Sequence, residues 1–186
     1  MSRIRIIPLQ FAGVEMLEKM LPILTTRFKM ETIISTRRLD LTPFFNPVRS
    51  QYNANDIIQK LVPMAEEGDK IVGVTDLDLF IPVLSYIFGQ AYLGGSVALI
   101  SGHRLENARY GLANDPKLFS ARLIKCIIHE LGHAFGLKHC LMPGCVMVST
   151  TYVEEMDQKS DVFCRKCQAE LNQLQDKPYP PRGIFS

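Results

Sequence analysis

Apolar and polar positions alternate along the chain in two different rhythms. The run "RIRIIP", Arg3 to Pro8, is short and isoleucine-rich and reads as a first strand. Val14, Leu17, Leu21, Leu24 and Phe28 then recur at helical spacing, with Pro22 as a place for a kink. "ETIIST" has the β-branched content of a second strand, and "TPFFNPVRSQYN" the prolines and asparagines of a loop. Ile57, Ile58, Leu61, Val62 and Ala65 mark a second helix, capped by Asn53 or Asn55 and blurred at its end by Pro63. "KIVGVTDLDLF" reads as a third strand, and "YLGGSVALIS" as a turn leading into a fourth. This β-α-β-α-β-β order suggests a mixed sheet backed by helices. From Asp115 a long helix opens, with Asp115 as cap and Pro116 in the first helical position. Leu118, Ala121, Ile124, Ile128, Leu131 and Phe135 keep one apolar face along it. Beyond Gly136 the regular signals fade until "CRKCQAELNQL", a short last helix. The proline-rich tail "DKPYPPRGIFS" reads as irregular.

Leu79 to Ser101 carries no charge and is long enough to cross a bilayer. Pro82, Gly89, Gln90, Gly94 and Gly95 interrupt it and its flanks lack the basic residues of a span, so buried strand–turn–strand is expected instead. The 186 residues suit one domain, and 47% hydrophobic with 22% charged residues suits a soluble fold. A net charge of +2 argues against a nucleic-acid or membrane partner. "MSRIRIIPLQ" lacks the apolar core of a secretion signal, which makes the cytoplasm the default location. There, Cys126, Cys140, Cys145, Cys164 and Cys167 are better read as metal ligands or free thiols than as disulfides.

The densest chemistry lies in "HELGHAFGLKHC", His129 to Cys140. His129 and His133, four apart on the long helix, project from one face and can share a zinc ion. Glu130, rotated about 100° from His129, lies beside that ion without being its obvious ligand, placed to take a proton from bound water. His139 cannot join them on a continuing helix, since it would lie about 9 Å beyond His133. Gly136 lets the helix stop and the chain turn back, so that His139 becomes a third ligand and the fourth position stays open to water.

Cys140 and Cys145 have four residues between them, and Cys164 and Cys167 two. That pattern suits a closed, structural four-cysteine zinc site that would clamp the loop carrying His139. Cys126 is left over as a buried free cysteine.

The motif His129-Glu130-x-x-His133-x-x-Gly136-x-x-His139 resembles that of the metzincin zinc peptidases, and with Cys140, Cys145, Met147, Cys164 and Cys167 it resembles the archaemetzincin branch. The resemblance implies an α+β, zincin-like fold: a single catalytic domain over residues 1–186, a 1–136 subdomain with a twisted mixed sheet, backing helix and active-site helix, and a 137–186 subdomain with a Met-turn at Met147, the four-cysteine site and the last helix. It also implies an edge strand along the cleft, expected within "GGSVALIS". Two zinc ions per chain follow, one catalytic and one structural, with no other cofactor.

The function expected is hydrolysis of peptides or partly unfolded protein by a monomer, with Glu130 as general base. The alternative is a non-catalytic zinc protein that binds a peptide or protein partner on the same scaffold, which would not need Glu130. A zinc-ribbon nucleic-acid binder is disfavoured, since only Arg165 and Lys166 add positive charge around the cysteines. No inhibitory pro-segment is expected, because the residues ahead of the motif all read as fold. His103 and "EEMDQK" read as solvated, and Ser149 and Tyr152 as cleft neighbours without assigned roles.

Overall fold

The computed structural model describes residues 2–176. In chain order the elements are β1 (Ile4–Pro8), α1 (Val14–Phe28), β2 (Thr32–Ile34), β3 (Phe45–Asn46), β4 (Gln51–Asn53), α2 (Ala54–Leu61), β5 (Lys70–Thr75), β6 (Leu79–Ile81), β7 (Leu84–Ile87), β8 (Gly89–Ala91), β9 (Val97–Ser101), α3 (Pro116–Phe135), α4 (Val153–Gln158) and α5 (Arg165–Gln175).

The main sheet has the order β2-β1-β5-β9-β8. Its first four strands are parallel, and β8 runs antiparallel to β9 at the edge. Both faces of a parallel sheet are covered, so its central strands are mostly apolar. Ile4, Ile6, Val72, Val74, Ala98 and Ile100 point to one face and pack with Leu17, Leu24 and Phe28 of α1 and with Leu123, Ile127 and Leu131 of α3. Ile7, Ile71, Val97 and Leu99 point to the other and pack on Ile57, Ile58 and Leu61 of α2. The apolar stripe of α3 is therefore pinned against the sheet, and its remaining face looks toward the cleft.

The mixed α/β architecture agrees with the expectation, with differences in detail. "KIVGVTDLDLF" splits after Thr75, so that β6 joins a second sheet of order β3-β4-β6-β7. The supposed loop at 42–53 supplies two of that sheet's short strands. "VALIS" is not the edge strand: β9 lies between β5 and β8 with all five residues buried. The edge is β8, three residues without a β-branched side chain. "EEMDQK" is not simply solvated either. It forms most of α4, which buries Met156 and leads into a buried Lys159. The uncharged 79–101 stretch forms strands, and among the described residues no helix is long and apolar enough to cross a membrane. The tail from residue 177 onward lies outside the described residues.

Candidate active site

The site is built on the second half of α3. The Asp115 carboxylate accepts from the backbone N–H groups of Lys117 and Leu118, each at 3.0 Å, and caps the helix as expected. At the other end Gly136 takes a left-handed conformation (φ 109°), its N–H donating to His133 O while Leu137 N–H donates to Gly132 O, both at 2.9 Å. That turn reverses the chain and brings His139 back over the helix. Ring centroids of His139 lie 5.4 Å from His129 and 4.8 Å from His133. One ring nitrogen from each of the three lies within 4.8 Å of the others.

Hydrogen bonding selects which nitrogens face inward. His129 Nδ1 is 2.8 Å from Val146 O and His133 Nδ1 is 2.7 Å from Leu137 O. A carbonyl only accepts, so both Nδ1 atoms carry the proton and both Nε2 atoms present a lone pair. Burial lowers the pKa of all three histidines, His129 most strongly, with the positive Lys159 acting in the same direction. Three neutral imidazoles with converging lone pairs are the donor set a zinc ion takes.

Glu130 is buried beside them. Burial pushes its carboxyl up to about 8, opposed by the charge of Lys159. Across the cleft Gly89 of β8 comes so close that a Cβ there would lie 2.7 Å from Glu130 Cγ. Beneath the helix, Met147 is fully buried with its sulfur against Gly132. The cleft, about 490 Å³, is walled by β8, by α3 and by Ser149–Thr151, with Lys159 also in its lining.

The four cysteines expected to form a second site do cluster, with all four sulfurs within 4.8 Å of one another. Cys140 Sγ and Cys164 Sγ are 3.8 Å apart, and Cys164 N–H donates to Cys145 Sγ at 3.3 Å. Cys164 stands immediately before α5, and the backbone N–H of Cys167 draws its thiol down to about 7. Cys140 N–H also donates to Met147 O at 2.9 Å. The cysteine cluster is thus bonded to the segment carrying Met147, as well as to the His139 loop.

Cys126 is buried and free, with its sulfur 3.5 Å from Met156 Sδ; burial pushes its thiol up to about 12, so it stays protonated. Ser149 lines the cleft, whereas Tyr152 is exposed and lies outside the lining. His103 stands apart from the other three histidines, its Nδ1 between Asp76 O and the Arg109 guanidinium, each 3.1 Å away. Sequence reasoning missed Gly89 and Lys159. Each acquires its place only when β8 and the end of α4 are brought to α3, and neither carries a local signal.

The profile of peptidase family M54 matches residues 14–173. The chain belongs to this family. It is thereby an enzyme, a peptidase, of the archaemetzincin type that its motif resembles. The archaemetzincin of Methanopyrus kandleri is 42% identical over 123 residues, 66% of this chain and 67% of that one. The archaemetzincin of Pyrococcus furiosus is 39% identical over 133 residues, 70% and 69% of the two chains. The crystal structure of the M. kandleri protein superposes with a TM-score of 0.84 at 30% identity, covering 95% of this chain and 96% of that one. A zinc-dependent peptidase from Methanocorpusculum labreanum gives a TM-score of 0.82 at 30% identity, covering 91% and 100%.

Proposed function

We propose that this M54 peptidase hydrolyses peptide bonds at a zinc ion held by His129, His133 and His139, with Glu130 as general base. The observation that carries this reading is the pair of unprotonated Nε2 atoms of His129 and His133, 3.1 Å apart. When bound, zinc would acidify a water molecule and polarise the scissile carbonyl. The residues supply the rest. Among the described residues β8 pairs only with β9, which leaves its outer edge to take an extended peptide by main-chain hydrogen bonds. Glu130 faces that edge; it takes the proton of the attacking water and returns it to the leaving amine. Its burial raises the proton affinity it needs for that work, and the positive Lys159 favours its ionised form.

A second, structural zinc on Cys140, Cys145, Cys164 and Cys167 completes the reading. Cys140 adjoins His139. Cys145 adjoins Val146, whose carbonyl orients His129. One clamp therefore steadies both the third ligand and the support of the first. The division into a 1–136 subdomain and a 137–186 subdomain follows the chain reversal at Gly136. Five free cysteines suit a reducing, cytoplasmic setting, and the small net charge suits a monomer acting on peptides or unfolded protein rather than on nucleic acid.

Cleavage of a diverse peptide library by the zinc-loaded protein, read by mass spectrometry beside Glu130→Ala, tests the proposal. Cuts by the wild type alone, with zinc retained in both proteins, are expected. Equal cutting by the variant would remove Glu130 from its role, and no cutting by zinc-loaded wild type would favour the binding protein.

A further inference from the structure

Lys159 enters the proposed mechanism only through the field by which it favours the ionised form of Glu130, and it touches no reacting group there. It follows α4 directly and is 5% exposed. Its Nζ donates to Val148 O at 2.9 Å. An ammonium has three N–H groups, and among the described residues no second acceptor bonds this one. The nearby titratable groups are Glu130, Cys126, Cys145 and Lys125, together with Glu155 and the three histidines His129, His133 and His139. None of them forms an ion pair with it: Glu130 acts on it through space, burial keeps Cys126 a neutral thiol, Cys145 and the histidines belong to the two proposed zinc sites, Lys125 Nζ bonds Met156 O, and the Glu155 carboxylate accepts from the backbone N–H groups of Thr151 and Tyr152.

The same cavity is lined by Cys126, Met156, Ser149, Thr150 and Thr151. Cys126 stands three residues before His129 on α3, so this wall adjoins the metal-binding face. A substrate side chain next to the scissile bond that enters here meets two sulfur-bearing side chains, small hydroxyls and one buried positive charge with unused donors. Burying that charge is costly unless something offsets it. A carboxylate does so well in a place shielded from water, since charge-assisted hydrogen bonds are the strong ones.

We infer that Lys159 is a specificity-determining residue that receives a substrate carboxylate beside the scissile bond, so that the enzyme favours peptides with a Glu or Asp side chain, or a free C-terminus, at that position. The inference rests on the proposed cleft, though not on turnover. Lys159 also holds the Val148 carbonyl, and a purely structural lysine is the competing explanation.

Calorimetric binding to the zinc-loaded protein separates the two. The first pair of probes is acetyl-Ala-Ala-Glu-Ala-Ala-amide and its Gln counterpart. The second is acetyl-Ala-Ala-Ala with a free and with an amidated C-terminus. At least one acid should bind about tenfold or more tighter than its neutral partner. The pair that shows the difference identifies the source of the carboxylate. In Lys159→Met the acid's affinity should fall to that of its neutral partner. A loss shared by acid and neutral peptides marks a structural lysine and overturns the inference, as does a preference that survives the substitution. If the variant does not fold, the wild-type pairs still decide: no difference within either pair, including no measurable binding of any probe, overturns it. Cleavage of the Glu and Gln peptides is followed alongside. A carboxylate preference in binding without cleavage counts against the peptidase mechanism alone, and cleavage without preference counts against Lys159 alone.

Discussion

His129 and His133 hold their Nε2 atoms 3.1 Å apart while each Nδ1 is occupied by a backbone carbonyl. Neither Nε2 has a proton to share, so two lone pairs face each other across hydrogen-bonding distance. That arrangement is repulsive on its own and favourable around a cation. Val146 O and Leu137 O create it, and both lie beyond the helix that carries the histidines.

On the proposed reading, a zinc ion at the cysteines would steady Val146, the acceptor for His129, through its neighbour Cys145. Cys145→Ser should weaken metal binding at the histidines about 10- to 100-fold, the range seen when outer partners of metal ligands are lost. Competition with a graded series of chelators, following the histidine site spectroscopically with cobalt, measures this. Unchanged affinity would separate the two clusters.

The close approach of β8 to α3 leaves no room at Gly89. A Cβ added there would lie 2.7 Å from Glu130 Cγ and 3.1 Å from its Cδ and Oε1. Gly89→Ala should displace the Glu130 carboxylate or the edge strand, lowering kcat/KM at least tenfold and costing about 1–3 kcal/mol of stability. Steady-state kinetics and urea denaturation check both effects, and wild-type values in each would show that the strand yields freely.

Lys70, buried in β5, donates to Gly95 O at 2.7 Å and to Ala134 O at 2.6 Å, and burial lowers its pKa to about 7. The unfolded lysine titrates near 10.4. Below pH 7 both states are protonated and the cost of the buried charge is felt in full. Between about 7 and 10 the unfolded chain binds the extra proton, so stability rises with pH by up to about 1.4 kcal/mol per unit. Urea midpoints from pH 7 to 9.5 at fixed zinc should rise in the wild type by more than in Lys70→Met. Parallel slopes would contradict the shift.

α3 was legible because its signals are local. Asp115, Pro116 and Gly136 mark its ends, and the histidine spacing implies the reversal that follows. α4 was not, since its apolar residues are Val153 and Met156 amid Glu154, Glu155, Asp157 and Gln158, and burial there comes from packing on α3. The strand positions differ from the expectation for a related reason. "VALIS" has the composition of a strand and occupies an interior one, whereas Gly89-Gln90-Ala91 has none of that composition and is the edge because β9 pairs with it. Gly89 suits its place for what it lacks, a property that shows only against Glu130.

The missed helix ties its charge to the active-site helix. Asp157 Oδ1 and Oδ2 accept from Arg122 Nε at 2.8 Å and Nη2 at 2.6 Å, and the Arg122 side chain is 5% exposed. Asp157→Ala would leave a guanidinium buried with, among the described residues, only Leu105 O and Asn107 Oδ1 as partners. A loss of about 2 kcal/mol or more in urea denaturation is expected, reduced from that of a fully buried pair because Asp157 is partly exposed. A change below about 0.5 kcal/mol would show that α4 adds little.

The central claim is that the three histidines form a catalytic zinc site separate from the cysteines. A crystal structure of the zinc-loaded protein, with anomalous differences collected on both sides of the zinc edge, tests it most directly. Two peaks are expected, one at about 2.0–2.1 Å from the Nε2 atoms of His129 and His133 and from a ring nitrogen of His139, the other at about 2.3 Å from the four sulfurs. Zinc at the cysteines alone, with the histidines empty at saturating metal, would contradict the account.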